Sequence, residues 1–246
     1  MTRHRAGLLV ALVLAATTAA GEPAPGISII IDDLGYELAA GRRAIALPGP
    51  LAVAILPDTP RGRLLAEAAH AGGKDVLLHL PLQAADYRDS AGRGSLTLDM
   101  SRQVFESAFG AALDSVPYAI GVSSHRGSLL TRHPGHMAWL MEAIAARDGL
   151  VFVDSYTTPK SVALQIARES GITAVRRDVF LDHEPTPDGI AREFGRLKRL
   201  ARERGVALGI GHPYPATLDF LEAVLPALAA DGFRLVSLGD LLAAER

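Results

Sequence analysis

The chain has 246 residues, 49% of them hydrophobic, and a formal net charge of −2, so bulk electrostatic attraction to nucleic acid is excluded and a sizeable core is affordable. It has no cysteine, which excludes disulfides and thiolate metal sites and leaves His, Asp and Glu as metal ligands.

The N-terminus reads as a leader. Arg3, His4 and Arg5 precede an apolar run from Gly7 to Ala16, followed by small residues from Thr17 to Gly21. A basic start, a short apolar stretch and a small-residue exit describe a secretory signal peptide over 1–20, with cleavage near Ala20. The run is shorter than the roughly 20 apolar residues that span a bilayer, so no stable membrane span is expected after cleavage. The mature chain is expected in the periplasm or secreted. Residues 21–26 form a short linker, and 27–246 a single folded domain.

From residue 27 onward, short β-rich runs alternate with stretches of helical period. The predicted strands are Ile27–Ile31, Leu51–Leu56, Asp75–Leu80, Tyr118–Val122, Leu150–Val153, Thr173–Leu181 and Val206–Ile210, with a short run at Arg234–Val236. Helices are predicted near 37–46, 60–71, 101–114, 134–147, 159–169, 187–204 and 215–230. In the sixth, Ile190, Phe194, Leu197 and Leu200 line one face, while Arg192, Arg196, Lys198 and Arg199 lie largely elsewhere, a cluster able to bind a polyanion but better read as a solvated outer face. Such alternation implies parallel strands with right-handed crossovers, in a barrel or a doubly wound sheet. Residues 83–97 are the one long irregular stretch, either a binding loop or a surface loop.

In α/β folds, sites gather at the carboxyl ends of parallel strands. Here those ends carry Asp32-Asp33, His79, Ser123-Ser124-His125, Asp154-Ser155, Asp182-His183-Glu184 and His212. Taken singly, Asp-Asp after a strand is often a cap or turn, and a strand-end His is often structural. The set is what a metal hydrolase would require. The pair His133 and His136 straddles Pro134-Gly135 at a helix start and reads as surface or support, and His70 ends an outer helix.

The segments IIIDDLGY, LAVAILP, VLLHLPL, IGVSSHRGSLLT, LVFVDSYTT, RDVFLDHE and GIGHPYPATL, in this order, resemble the divergent polysaccharide deacetylases. The resemblance runs from Ile27 to the C-terminus. It implies a distorted (β/α) barrel of the NodB-homology type with about seven parallel strands. Of the two adjacent aspartates it implies a general base at Asp32 and a metal ligand at Asp33. It implies His79 and His125 as the other ligands of a divalent metal, zinc by ligand type, and His212 as general acid. Asp154 resembles the acidic residue that orients a catalytic partner, while Ser124 and Ser128 shape the turn at His125. The family usually has Asn-Asn-His-Met-Gly-Ser where this chain has Ser123-Ser124-His125-Arg126-Gly127-Ser128, and Asn where His183 stands. The Asp32 side chain is expected to point away from that of Asp33, because adjacent strand residues diverge.

The implied activity is deacetylation of an N- or O-acetylated cell-envelope glycan. A second reading is a non-catalytic periplasmic protein that binds glycan or a cell-envelope partner on the same fold. A third is a glycosidase using Asp33 with Asp182 or Glu184, which leaves the histidines unexplained.

Overall fold

A computed structural model describes residues 23–85 and 94–244. The expected leader and its cleavage point lie outside the described residues, as does the middle of the 83–97 loop. The strands are β1 (Gly26–Leu34), β2 (Ala52–Ile55), β3 (Asp75–Leu82), β4 (Ala119–Arg126), β5 (Val151–Asp154), β6 (Ala174–Arg176), β7 (Val179–Phe180), β8 (Val206–Gly211) and β9 (Arg234–Leu235). The helices are α1 (Leu38–Ala46), α2 (Gly62–Ala71), α3 (Arg102–Ser115), α4 (Pro134–Ala145), α5 (Ala163–Glu169), α6 (Pro187–Arg204), α7 (Pro215–Val224) and α8 (Leu238–Ala244). Among the described residues no helix is long and apolar enough to cross a membrane.

The sheet runs β6-β5-β4-β3-β2-β1-β8-β7, with β9 against β1, and its paired strands are parallel. This is the expected distorted (β/α) barrel. The central strands β1, β2, β3 and β8 are buried on both faces, as crossover helices require. On β1, Ile27, Ile29 and Ile31 join the outer core beneath the helices. Ile30 faces inward with Ala52, Ala54, Leu77, Val153, Leu208 and Ile210. That interior is filled by Leu238, Leu241 and Leu242 of α8, a helix absent from the sequence-based elements.

The run Thr173–Leu181, expected as one strand, is two. β6 pairs with β5 and β7 pairs with β8, at opposite ends of the sheet. Between them the Arg177 amide bonds the Asp154 carbonyl, and the Asp178 amide bonds that of Leu208. The Asp178 carboxylate accepts from the Leu208 amide and from Arg204. The chain therefore closes the barrel covalently, stepping across a seam where no ladder forms.

Helix α6 follows local rules closely. The Thr186 hydroxyl caps the Gly189 amide, Pro187 opens the first turn, and Gly205, at φ 84°, follows the last. Ile190, Phe194 and Leu197 are buried as expected. The basic outer face is largely ion-paired: Arg192 to Glu184, Arg196 to Glu193 and Lys198 to Asp231. Such exposed pairs contribute about 0–1 kcal/mol each.

Strand β4 packs tightly on β5 at Gly121, where an added Cβ would lie 2.4 Å from Val151 Cγ2 and 2.7 Å from its carbonyl oxygen. Backbone cannot yield as a side chain does. Gly121→Ala is therefore expected to lose about 1–3 kcal/mol, read as a lower denaturant midpoint at unchanged slope.

Candidate metal centre

Strand parity decides which side chains reach the barrel mouth. Successive residues point to opposite faces, so a strand-end residue belongs to the series two and four positions before it. Asp32 continues inward Ile30, His79 continues Leu77, and His212 continues Ile210. Asp182 continues Phe180, which packs against the inner cluster. His125 lies beyond Ser123, and the β3–β4 register pairs His79 with Ser123 and Pro81 with His125. The two histidines thus sit diagonally on neighbouring strands, within side-chain reach. The intervening inward residue on β2 is small, Ala54, which leaves room for β1 and β3 to meet over it.

Asp33 breaks the alternation. Its φ is 60°, and the β1–β2 register shifts between Ile31 and Leu34. The expectation that the two aspartates diverge is therefore corrected. Asp33 Oδ1 lies 3.1 Å and Asp32 Oδ2 3.5 Å from the same atom, His79 Nε2. Left-handed backbone recurs at Arg126 (φ 57°) and Tyr156 (φ 50°), which close β4 and follow β5. Strain of this kind costs about 1–3 kcal/mol per residue and collects at functional sites.

Three atoms form a near-equilateral triangle. Asp33 Oδ1 is 3.1 Å from His79 Nε2 and 3.0 Å from His125 Nδ1, and the two nitrogens are 3.1 Å apart. Metal–ligand bonds of about 2.0–2.2 Å would place such donors about 3 Å apart around a shared centre. The Asp33 oxygen is buried without a well-directed hydrogen bond despite its two nitrogen neighbours. Lone pairs aimed at a common point produce that pattern. His79 Nδ1 lies 2.7 Å from Ser123 Oγ, so a proton held there leaves Nε2 as the free donor. The donor set suits zinc or another divalent cation of N/O preference.

The electrostatics divide the residues. Burial opposes ionisation of Asp33, but the two imidazoles outweigh it and hold its carboxyl well below the usual carboxylate range. Burial pushes Asp32 up to about 6, against the pull of His79, His212 and Arg177. Its second oxygen has no hydrogen-bond partner. Burial lowers His125, favouring the neutral ring.

His212 stands across the mouth, with Nε2 3.7 Å from Asp33 Oδ2. Its Nδ1 lies 2.9 Å from Asp182 Oδ1, and its amide donates to Asp182 Oδ2. The Thr217 hydroxyl donates to that same oxygen. Burial lowers the His212 pKa, but the Asp182 contact outweighs it and the net shift is upward.

The carboxylate that holds the His212 ring is therefore Asp182, and the expectation that Asp154 orients it is corrected. Asp154 continues outward Phe152, so parity sends it to the far side of the sheet. There it accepts from the Tyr156 amide and the Ser161 hydroxyl. The parity of the short β7 run was the signal that would have found Asp182. The glycosidase reading loses both its partners for Asp33. Asp182 is committed to His212, and Glu184 is an exposed partner of Arg192. Ser124 accepts from the Ser155 amide and Ser128 from that of Ala85, bracing the His125 turn. His136 bonds the Leu98 carbonyl and packs on Trp139, and His70 stacks on Tyr118. Neither belongs to the centre.

A family model described as divergent polysaccharide deacetylase matches residues 29–242. The uncharacterized protein YibQ of Escherichia coli K12 is 35% identical over 233 residues, 94% of this chain and 72% of YibQ. The crystal structure of the uncharacterized protein ATU2773 from Agrobacterium tumefaciens C58 superposes with a TM-score of 0.85 at 21% identity, covering 90% of this chain and 91% of that one. The catalytic domain of a peptidoglycan N-acetylglucosamine deacetylase from Eubacterium rectale shares the fold, with a TM-score of 0.52 at 15% identity over 87% of this chain and 89% of that one.

If the triangle holds a cation, the purified chain carries one divalent metal, measurable by mass spectrometry of the digested protein. Asp33→Ala, His79→Ala and His125→Ala are each expected to lose it while keeping the fold. Ser123→Ala is expected to weaken binding about 10–100-fold. Full metal retention by all three ligand variants would remove the assignment.

Proposed function

The chain belongs to the divergent polysaccharide deacetylase family, and from that premise we propose that it removes an N- or O-acetyl group from a cell-envelope glycan. The observation that carries the reading is the donor triangle of Asp33, His79 and His125, flanked by Asp32 and His212. We assign the triangle to a divalent cation, zinc by donor type. When bound, such a cation polarises an acyl oxygen and brings the acidity of water near neutrality.

The remaining steps fall to this chain's own side chains. Asp32, its carboxyl near 6, is mostly ionised at neutral pH and takes a proton from the attacking water. It is a stronger base than an ordinary aspartate because burial disfavours its charge. Asp182 fixes the His212 ring through Nδ1, so Nε2 faces the mouth and gives its proton to the leaving amine or alkoxide. The raised His212 pKa suits an acid that must hold that proton until the bond breaks. The leader at 1–20 would deliver the chain to the periplasm or exterior, where such glycans lie.

Asp32→Asn and His212→Ala are each expected to keep the metal and lower acetate release from acetylated glycans by roughly a hundred- to ten-thousand-fold. Full activity in both would overturn the role assignment. Glycan binding by wild type without acetate release would make it a binding protein on the same fold. Separately, mass spectrometry of the exported protein is expected to find a mature N-terminus just after Ala20, and an intact N-terminus in the cytoplasm would refute export.

A further inference from the structure

The seam between β6 and β7 opens a cleft of about 530 Å³ that the chemistry above does not use. This is within the size range of small-molecule sites. Phe180 ties it to the centre. The Phe180 ring lies 5.1 Å from the His212 ring, centroid to centroid, and also lines the cleft. Whatever occupies the cleft therefore neighbours the group that protonates the leaving atom.

The other walls are cationic. Two guanidiniums, Arg177 and Arg196, face one carboxylate, Glu193, with the exposed imidazole of His183 beside them. Arg177 is held rigidly. Nε donates to the Ser155 carbonyl, Nη2 to that of Tyr156, and its guanidinium carbon sits 4.7 Å from the Phe180 ring centre. Among the described residues its Nη1 has no hydrogen-bond acceptor. Asp32 and Asp154 act on its charge from nearby, yet neither accepts a hydrogen bond from it. A fixed donor edge is thus left for a ligand. Arg196 is loosely held, 3.4 Å from Glu193, and Glu193 keeps Arg192 at 3.7 Å as a second partner. Arg196 can turn to a ligand without leaving Glu193 unpaired. An aromatic wall with one fixed guanidinium donor edge and one guanidinium free to turn suits a ring with an apolar face and a carboxylate.

We propose that this cleft is a substrate subsite for a carboxylate-bearing sugar, adjoining the sugar whose acyl group is at the metal centre. The chain would then act on an acidic glycan in preference to a neutral one. This rests on the deacetylase reading, and the test separates the two.

The probes are an N-acetylated disaccharide with a carboxylate on one ring, and the same disaccharide with that carboxylate converted to a primary amide. Calorimetry on the metal-loaded mature chain is expected to show the acid binding about 10–100-fold more tightly than the amide. Arg196→Ala and His183→Ala are expected to remove most of that preference by weakening the acid far more than the amide. Raised salt should narrow the gap. Acetate release, measured in parallel, should show the same preference in kcat/KM. Equal binding of acid and amide by wild type would overturn the proposal, as would an equal weakening of both by Arg196→Ala. If the preference holds while neither probe releases acetate, the deacetylase reading falls and the acidic-sugar subsite stands.

Discussion

The two-residue repeat of a strand buried on both faces is the constraint on which the rest depends. Helices outside and α8 inside leave each strand residue one of two environments. That sorting continues past the last apolar residue. Asp32, His79, His125, Asp182 and His212 emerge at the inner mouth because they extend inward series. Asp154 emerges on the outer side because it extends an outward one. One residue escapes the rule, and it does so by a backbone change. The left-handed φ at Asp33 puts a second carboxylate beside the first, on the same imidazole.

Bringing three carboxylates and three imidazoles together in a buried mouth is unfavourable unless the charges are shared out. The arrangement shares them. Asp182 has three hydrogen bonds and serves His212. Asp33 is held ionised against two ring nitrogens. Asp32 keeps one oxygen unbonded, and burial raises it toward neutrality. Two of the buried oxygens left without a partner, on Asp32 and Asp33, are those the proposed chemistry calls on, while both oxygens of the supporting Asp182 are bonded. A shell of this kind positions a site by locking the residues behind it.

The seam shows how topology makes space. β6 and β7 are consecutive in the chain but end opposite edges of the sheet. Arg177 and Asp178 bridge the seam with single backbone bonds and side-chain bonds in place of a ladder. A closed ladder there would leave no wall for the cleft beside His212. Gly209 extends the same economy on β8, where an added Cβ would meet Leu197 at 2.8 Å.

Much of this was legible in the sequence. Apolar runs at strand spacing, caps such as Thr186 with Pro187, and the amphipathic period of α6 are local signals set by local physics. The strand-end polar residues put Asp32, Asp33, His79, His125 and His212 among the candidates, and the family resemblance singled them out. Tertiary structure alone decided which of them touch. His79 and His125 are 46 residues apart, and the β3–β4 register makes them diagonal neighbours. Asp182 and His212 are 30 residues apart, and β7 and β8 bring them together. The split of Thr173–Leu181, the turn at Asp33 and the α8 plug were hidden for a common reason. Each is imposed by closing a curved sheet around a filled interior, a condition that no local stretch of sequence carries by itself.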